Sequence, residues 1–225
     1  MFKSRGDRWL LLLPLTLWAL LLSPCMTRAD ERHYLIIFGA QSHPKLPRYT
    51  HTFATFVKVG DCPADGVMPP IQAYTISWLP QTLKVRPFRC YSEPGVNLDL
   101  ETTLRWAQDN RMRVSEWGPY EIEGEFYQIV YNEYLRMQSG IYRYKAIDPF
   151  TRGSLTTDCI HAVSDIDYRH GRAEYFFLRS GNPASRHLAF VLSDRERVLA
   201  HQDGLGWLNS VLGLDRYPII HRRDP

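Results

Sequence analysis

Cys159 and His51 are the two residues of this sequence whose types and surroundings best fit nucleophilic thiol chemistry. The sequence predicts a short helix over 157–164, capped by Thr157 or Asp158, which places Cys159 in the first turn. Backbone N–H groups and the helix dipole favour a thiolate there, so we expect a reactive cysteine. His51 lies near the start of a strand-like segment, on an otherwise apolar face.

A cysteine nucleophile needs an imidazole to take its proton, and the imidazole needs a third polar group to orient it. Thr75 and Ser77 are the candidates for that third role, because they share one side of a segment that can pair beside the strand of the histidine. Glu93 and Asp99 are more remote alternatives. The predicted catalytic set is Cys159, His51, Ser77 and Thr75.

A strand histidine followed far downstream by the segment Asp-Cys-Ile-His-Ala-Val, residues 158–163, resembles the circularly permuted branch of the papain-like NlpC-type cysteine hydrolases. Lecithin:retinol acyltransferase and several bacterial cell-envelope hydrolases belong to that branch. Its members have a strand histidine, then a polar residue on a strand, then a cysteine at a helix start that often follows an asparagine. The resemblance covers residues 49–164, and Asp158 stands where the asparagine is usual.

The resemblance implies a permuted papain-like α+β domain in which His51 is the base and Cys159 is the nucleophile. It implies acyl transfer from an amide or an ester, with a cell-envelope peptide or a lipid-linked molecule as the substrate. No cofactor is expected for this chemistry. The alternative is a non-catalytic exported domain of the same fold that serves as a binding or structural module.

A metal site would be a different use of the same side chains. It would combine Cys159 and His161 with either His51 or His170. Cys-x-His alone is not a zinc spacing, so no metal site is predicted. Asp158 and His161 are each expected to be solvated or to cap the helix.

Residues 1–29 have the three-part pattern of a secretory signal peptide. Three basic residues precede an apolar run over 9–22, and Thr27-Arg28-Ala29 supplies small residues where a signal peptidase cuts. The run of 14 residues is short for a bilayer-spanning helix, which needs about 20. We therefore expect a protein exported to the periplasm or beyond.

Cleavage would leave one mature domain, residues 30–225, with 23 basic and 23 acidic side chains. A formally neutral domain without a cluster of Lys and Arg is not expected to bind nucleic acid. No transmembrane segment is expected after cleavage. An uncleaved anchor and lipid attachment through Cys25 are the alternatives, and the oligomeric state is left open.

The mature domain keeps three cysteines, an odd number. Cys62 and Cys90 flank the segment of residues 63–89, so we expect them to form a disulfide in an oxidising compartment. Cys159 is then the odd thiol, which directs attention to it. A buried and inert cysteine is the alternative interpretation.

The elements expected around these residues make an α+β fold with a small antiparallel sheet. Strands are predicted over 33–38, 50–59, 73–78 and 175–178, with extended chain over 142–147 and a final apolar segment at Ile219-Ile220. Helices are predicted to start at Asn97, Thr157 and Pro183 and near Trp207. A further helix is predicted to start at the segment 117–120 and to end at Gly140.

Overall fold

The computed structural model describes residues 31–61, 68–147, 155–166, 181–193, 198–201 and 205–222. The chain divides into two compact units, Met1–Asp30 and Glu31–Pro225, and every described element lies in the second. Its apolar core is assembled wholly from residues of that second unit. No helix in the described ranges is long and apolar enough to cross a membrane.

The described part of the chain contains ten strands and five α-helices. The strands are β1 (Arg32–Ser42), β2 (Thr50–Val59), β3 (Ile71–Ile76), β4 (Trp78–Pro80), β5 (Glu93–Asn97), β6 (Met112–Ile122), β7 (Arg143–Tyr144), β8 (Thr156–Thr157), β9 (Val198–His201) and β10 (Ile219–Arg222). The helices are α1 (Leu100–Asp109), α2 (Gly124–Gln138), α3 (His161–Ser164), α4 (Asn182–Ser193) and α5 (Gly206–Val211).

The fold is mixed α+β, as predicted, but the main sheet is neither small nor wholly antiparallel. Six strands form it in the order β10-β6-β1-β2-β3, with β9 beside β6. The predicted antiparallel neighbours β1, β2 and β3 are confirmed, whereas β10 runs parallel to β6. A second sheet has the order β4-β5-β7-β8. The strand β6, which pairs with β1 along most of its length, was not predicted.

The prediction that residues 117–120 break the chain and open a helix was wrong, because they lie inside β6. Gly118 has φ +108°, and a Cβ on it would approach the carbonyl oxygen of Leu35 to 2.8 Å. The pairing with β1 shifts register between Leu35 and Ile37, so a bulge accommodates the Gly-Pro pair within the strand. The helix begins only at Gly124, and Gly140 follows its end with φ +75°.

Asn97 was wrongly predicted to cap α1, since it is the last residue of β5. The cap is Asp99, whose carboxylate accepts a hydrogen bond from the N–H of Thr102 at 2.7 Å. The Asn97 amide instead accepts from the N–H of Ser77 at 2.7 Å and donates to the carbonyl of Thr75 at 2.8 Å. These two bonds fix the backbone at the point where β3 ends.

Helices cover both faces of the main sheet near the start of β2. His51 and Thr52 are adjacent in a strand, so their side chains point to opposite faces. Trp106 of α1 contacts the His51 ring, while Ser185 of α4 bonds to the Thr52 hydroxyl at 2.9 Å. The main sheet is therefore enclosed at the place where the predicted base lies.

The tail agrees with the sequence where the structure describes it. The predicted helices at Pro183 and Trp207 are confirmed as α4 and α5, and Ile219-Ile220 begins β10. The extended chain predicted over 142–147 contains the short strand β7. The strand predicted over 175–178 lies outside the described residues.

Candidate thiol site

The imidazole of His51 is fully buried among aromatic rings. It stacks on Phe53, with ring centroids 5.4 Å apart, and receives the edge of Trp106 at 5.6 Å. Burial away from water disfavours the charged imidazolium and lowers the pKa of His51 to about 3. The ring is therefore neutral at physiological pH, with one nitrogen protonated and one bare.

Three polar groups form a chain of hydrogen bonds that ends at His51. Nε2 of the ring lies 2.9 Å from Oγ of Ser77, and that oxygen lies 2.8 Å from Oγ1 of Thr103. The Thr103 hydroxyl is also 2.7 Å from the backbone carbonyl oxygen of Asp99. Thr103 is the donor in both contacts and shares its one proton between the two oxygens.

The tautomer of the ring is assigned from these contacts. The Ser77 oxygen accepts from Thr103, and we assign the ring proton to Nε2, because the other tautomer would bury an N–H at Nδ1 without an acceptor. The proton of the ring is thus on Nε2, and Nδ1 is left with its lone pair. Nδ1 is buried and has no hydrogen-bond partner among the described residues. His51 is therefore held in the tautomer of a proton acceptor.

Of the two residues predicted for the third position, the structure brings only Ser77 to His51. The Thr75 hydroxyl bonds instead to the Thr55 hydroxyl at 3.0 Å. Ser77 lies between β3 and β4, outside either strand, and this break in the predicted strand 73–78 separates it from Thr75. The remote alternatives have other partners: Glu93 pairs with Arg89, and the Asp99 carboxylate caps α1.

Cys159 lies in the turn that leads from β8 into α3. The Asp158 carboxylate accepts hydrogen bonds from the backbone N–H groups of Ile160 and His161 at 2.8 and 2.9 Å. The Asp158 carbonyl accepts from Ala162 at 3.0 Å, so Asp158 is the effective cap and Cys159 is the first residue after it. The predicted capping by Asp158 is confirmed, but the predicted start at Thr157 was wrong: Thr157 belongs to β8 and the helix begins at His161, so Cys159 precedes it.

The Cys159 thiol lies against the edge of β2, at the residue that follows His51. The Cys159 sulfur accepts a hydrogen bond from the backbone N–H of Thr52, the residue that follows His51. This edge is open because β3 pairs with β2 only as far as Ala54 and Ile76. No hydrogen bond joins the thiol to the His51 ring in the structure, since Nε2 is bonded to Ser77 and Nδ1 has no partner.

The electrostatics of Cys159 differ from the sequence prediction of a thiolate. Cys159 is half-buried as a residue, but desolvation of its sulfur and the adjacent Asp158 charge raise the pKa of Cys159 to about 12. Backbone N–H groups of Thr52, Cys159 and Ile160 act in the opposite direction but are outweighed. The helix is a single turn of four residues, so its dipole contributes little. The resting pair is a neutral thiol beside a neutral imidazole.

Asp158 and His161 form a buried pair next to the thiol. Nδ1 of His161 lies 2.9 Å from Oδ2 of Asp158, and both side chains are almost fully enclosed. Asp158 caps the helix, which was one of its two predicted roles. Neither side chain is exposed to solvent, so the other predicted role was wrong for both residues. The residues that the structure describes contain no group of three metal-ligating side chains, and His170 lies outside them.

Tyr144 is a buried neighbour of the thiol that the sequence did not single out. It lies on β7, in register with Glu93 of β5 and Thr157 of β8. Burial, followed by the charges of Cys159, Asp158 and Glu93, raises the pKa of Tyr144 well above its ordinary value. Its phenol therefore stays protonated and is a hydrogen-bond donor. Only the predicted extended chain over 142–147 pointed toward this region.

Cys90 is exposed and is not bonded to another cysteine in the described part of the chain. Cys62 lies outside the described residues, so the Cys62–Cys90 disulfide stays a prediction. Cys90 provides a second thiol in the same chain against which the reactivity of Cys159 can be measured.

The site as described combines a proton acceptor of fixed tautomer, a protonated thiol, a buried phenol and a set of backbone N–H groups. Its elements come from both sheets: β2 supplies His51 and Thr52, and β8 leads directly into Cys159. No family model, curated protein or solved structure matches the chain.

Proposed function

We propose that this protein is a thiol hydrolase or acyltransferase of permuted papain-like fold, with Cys159 as nucleophile and His51 as base. The observation that carries the proposal is the chain of hydrogen bonds from Asp99 through Thr103 and Ser77. It presents Nδ1 of His51 as a proton acceptor that nothing in the described structure occupies. Ser77 takes the third, orienting role that such a pair requires.

The reaction begins when the Cys159 sulfur attacks the carbonyl carbon of an amide or ester and its proton passes to Nδ1 of His51. A C–S bond forms and the carbonyl oxygen becomes an oxyanion. Collapse of this intermediate breaks the C–N or C–O bond, and the leaving group takes the proton from His51. Water, or an acceptor alcohol or amine, then attacks the thioester and gives a proton to Nδ1 of His51. The C–S bond breaks, the acyl group leaves on the acceptor, and the proton returns to the Cys159 sulfur.

Both neutral forms are favoured at rest, so the proton moves during the attack and not before it. The pKa values of about 12 for Cys159 and about 3 for His51 make a preformed thiolate–imidazolium pair unfavourable. Negative charge on the sulfur is stabilised by the N–H of Thr52. The protonated phenol of Tyr144 is the side chain proposed to donate to the oxyanion.

No hydrogen bond joins the thiol to the ring in the free protein. Substrate binding is therefore proposed to bring the two groups together. Catalytic hydrogen bonds are often long in a free enzyme and tighten in the complex. The turn that carries Cys159 is the element proposed to move, because it lies at an unpaired edge of β2 and its helix is one turn long. His51 is fixed by packing and by Ser77.

The setting proposed for this activity is the cell envelope. The signal-peptide pattern of residues 1–29 supports export to the periplasm or beyond, with attachment through Cys25 as the alternative. The resemblance to permuted papain-like hydrolases supports a cell-envelope peptide or a lipid-linked acyl compound as substrate. The residues proposed to act need no cofactor.

The test uses an activated ester, p-nitrophenyl acetate, with the reduced protein. Acylation is followed by intact mass and by mapping the acetyl group to a peptide. We expect acetylation at Cys159 in preference to the exposed thiol of Cys90, and its loss in Cys159→Ser. Ser77→Ala should slow the reaction, whereas Thr75→Ala should have little effect. Acetyl groups on Cys90 alone would overturn the proposal.

A non-catalytic exported domain of the same fold is the second candidate. The complete burial of His51, together with the shifts of both pKa values toward neutral forms, favours it. In that case Cys159 and His51 are packed residues of a structural core. Acylation of Cys159 that is no faster in the native protein than in the His51→Gln variant would select this candidate.

A further inference from the structure

Residues 81–92 connect β4 to β5 and present two aromatic rings to solvent. Phe88 is 87% exposed and Tyr91 is 66% exposed, the two highest values among the large hydrophobic side chains described. Isolated exposed apolar residues are common on protein surfaces, but two rings within four residues on one loop form an apolar projection.

The same loop is basic. Between Gln81 and Ser92 the sequence has three cations, at Lys84, Arg86 and Arg89, and no acidic residue. The guanidinium of Arg89 is matched by the Glu93 carboxylate, 2.7 Å away. In the part of the chain that the structure describes, Lys84 and Arg86 have no ion-pair partner and add two unmatched positive charges next to the rings.

Internal contacts order the Tyr91 ring and the backbone turn that carries Phe88. Arg89 lies over the Tyr91 ring at 4.2 Å from its centroid, and its N–H donates to the carbonyl of Arg86 at 3.1 Å in a turn that has Phe88 at its third position. At the base of the loop, the N–H of Gln81 donates to the Pro94 carbonyl at 2.9 Å. Arg86, Phe88, Arg89 and Tyr91, with Pro87, line an open cleft of about 350 Å³.

We propose that the loop of residues 81–92 docks the protein onto an anionic phospholipid surface. Phe88 and Tyr91 enter the headgroup layer, where amphipathic aromatic rings are favoured. Lys84 and Arg86 contact the lipid phosphates, and their aliphatic stems lie along the apolar side of that layer. Charge complementarity selects this occupant, because the loop combines unmatched cations with rings that a soluble anion would leave exposed.

The loop is tied to the sheet that leads to the thiol site, although its docking does not depend on thiol chemistry. Arg89 of the loop pairs with Glu93, and Glu93 is in register with Tyr144 on the neighbouring strand. The next strand, β8, runs into Cys159. A protein docked through this loop would hold that sheet next to the lipid surface.

The test measures cosedimentation of the unit that starts at Glu31, which contains the whole described core, with two kinds of vesicle. One kind is pure phosphatidylcholine, and the other contains phosphatidylglycerol as well. We expect binding to the anionic vesicles only, falling as salt rises. Phe88→Ala and Arg86→Glu should each weaken binding several-fold, while Phe88→Trp should retain it.

Leu135→Ala and Arg113→Glu are the matched controls, because both residues are exposed on other surfaces. They should bind as the native protein does. Equal binding to both kinds of vesicle, no binding, or binding that Phe88→Ala leaves unchanged would overturn the proposal. Displacement by free glycerol 3-phosphate would also overturn it, since the site would then be one for a small anion.

Discussion

Two histidines on the main sheet have polar partners of different kinds, and the contrast explains why only one is proposed to act. His51 is fully buried and bonds through Nε2 to the hydroxyl of Ser77. The side chain of His221, on β10, is 58% exposed and bonds through Nδ1 to the buried carboxylate of Glu116 at 2.6 Å. Both rings are oriented by their partners, but only His51 keeps an acceptor nitrogen enclosed by protein.

The enclosed nitrogen is the functional difference. Water can bond to the outer nitrogen of an exposed ring such as His221, so nothing is left unsatisfied there. An acceptor buried without a donor costs about 1–3 kcal/mol, which a fold retains where a ligand or a reacting group later supplies the donor. Glu116 also accepts from Asn209 of α5 at 3.2 Å, so the His221 cluster joins β6, β10 and α5.

The largest expected effect is on acylation of Cys159. Replacement of His51 by Ala removes the proton acceptor and should slow acylation by p-nitrophenyl acetate by about 100-fold or more. His221→Ala, the matched change at the other histidine, should alter the rate by less than about twofold. The rates are measured by mass spectrometry of the Cys159 peptide. Equal effects of the two substitutions would show that His51 has no special role.

Alkylation by iodoacetamide should be faster at Cys90 than at Cys159, which is the reverse of the order expected for acylation. Only a thiolate alkylates, and with a pKa of about 12 Cys159 is almost wholly protonated at neutral pH. In reduced protein we expect Cys159 to react at least about 10-fold more slowly than the exposed Cys90. Quantitative peptide mass spectrometry over time gives both rates. Faster alkylation at Cys159 would restore the activated thiolate that the sequence predicted.

The stability of the fold should depend on pH through His51. Its pKa is about 3 in the folded protein against 6.5 in the unfolded chain. Below pH 6.5 the unfolded chain takes up a proton that the folded protein does not, so the free energy of unfolding falls as the pH drops toward 3. The contribution is complete above pH 6.5 and has a slope of at most about 1.4 kcal/mol per pH unit.

Urea unfolding at several pH values measures this slope, and the two histidines again provide the control. His51→Gln should make the free energy of unfolding less dependent on pH between 6.5 and 3. His221→Gln should leave the steeper dependence of the native protein in place. An unchanged slope in His51→Gln would mean that this ring is protonated in the folded state.

The parts of the fold that were predictable are those whose signals are local. The strand of residues 50–59 is rich in β-branched and aromatic residues, and Asp158 followed by an apolar turn is a recognisable cap. The strand β6 was missed because Gly118-Pro119 normally ends an element, and only pairing with β1 makes a bulge there acceptable. Tertiary pairing outweighed a strong local signal.

The site shows the same division. Residue types and element order were enough to nominate His51, Ser77 and Cys159, but not to choose between Ser77 and Thr75. That choice depends on Asn97, which binds the backbone on both sides of the break after β3. The pKa of Cys159 was also out of reach of the sequence, because it depends on enclosure of the sulfur and not on its place in a helix.

The smallest expected effect compares the partners of the two histidines. Ser77→Ala leaves the Nε2–H of His51 buried without an acceptor, which should lower the free energy of unfolding by about 1–3 kcal/mol. Glu116→Gln keeps an oxygen that can accept from His221 and Asn209 and removes a buried charge, so the change should stay below about 1 kcal/mol. Urea titrations at pH 7 compare the two directly. If Glu116→Gln proved the more costly, the hydroxyl chain would not be what orients His51.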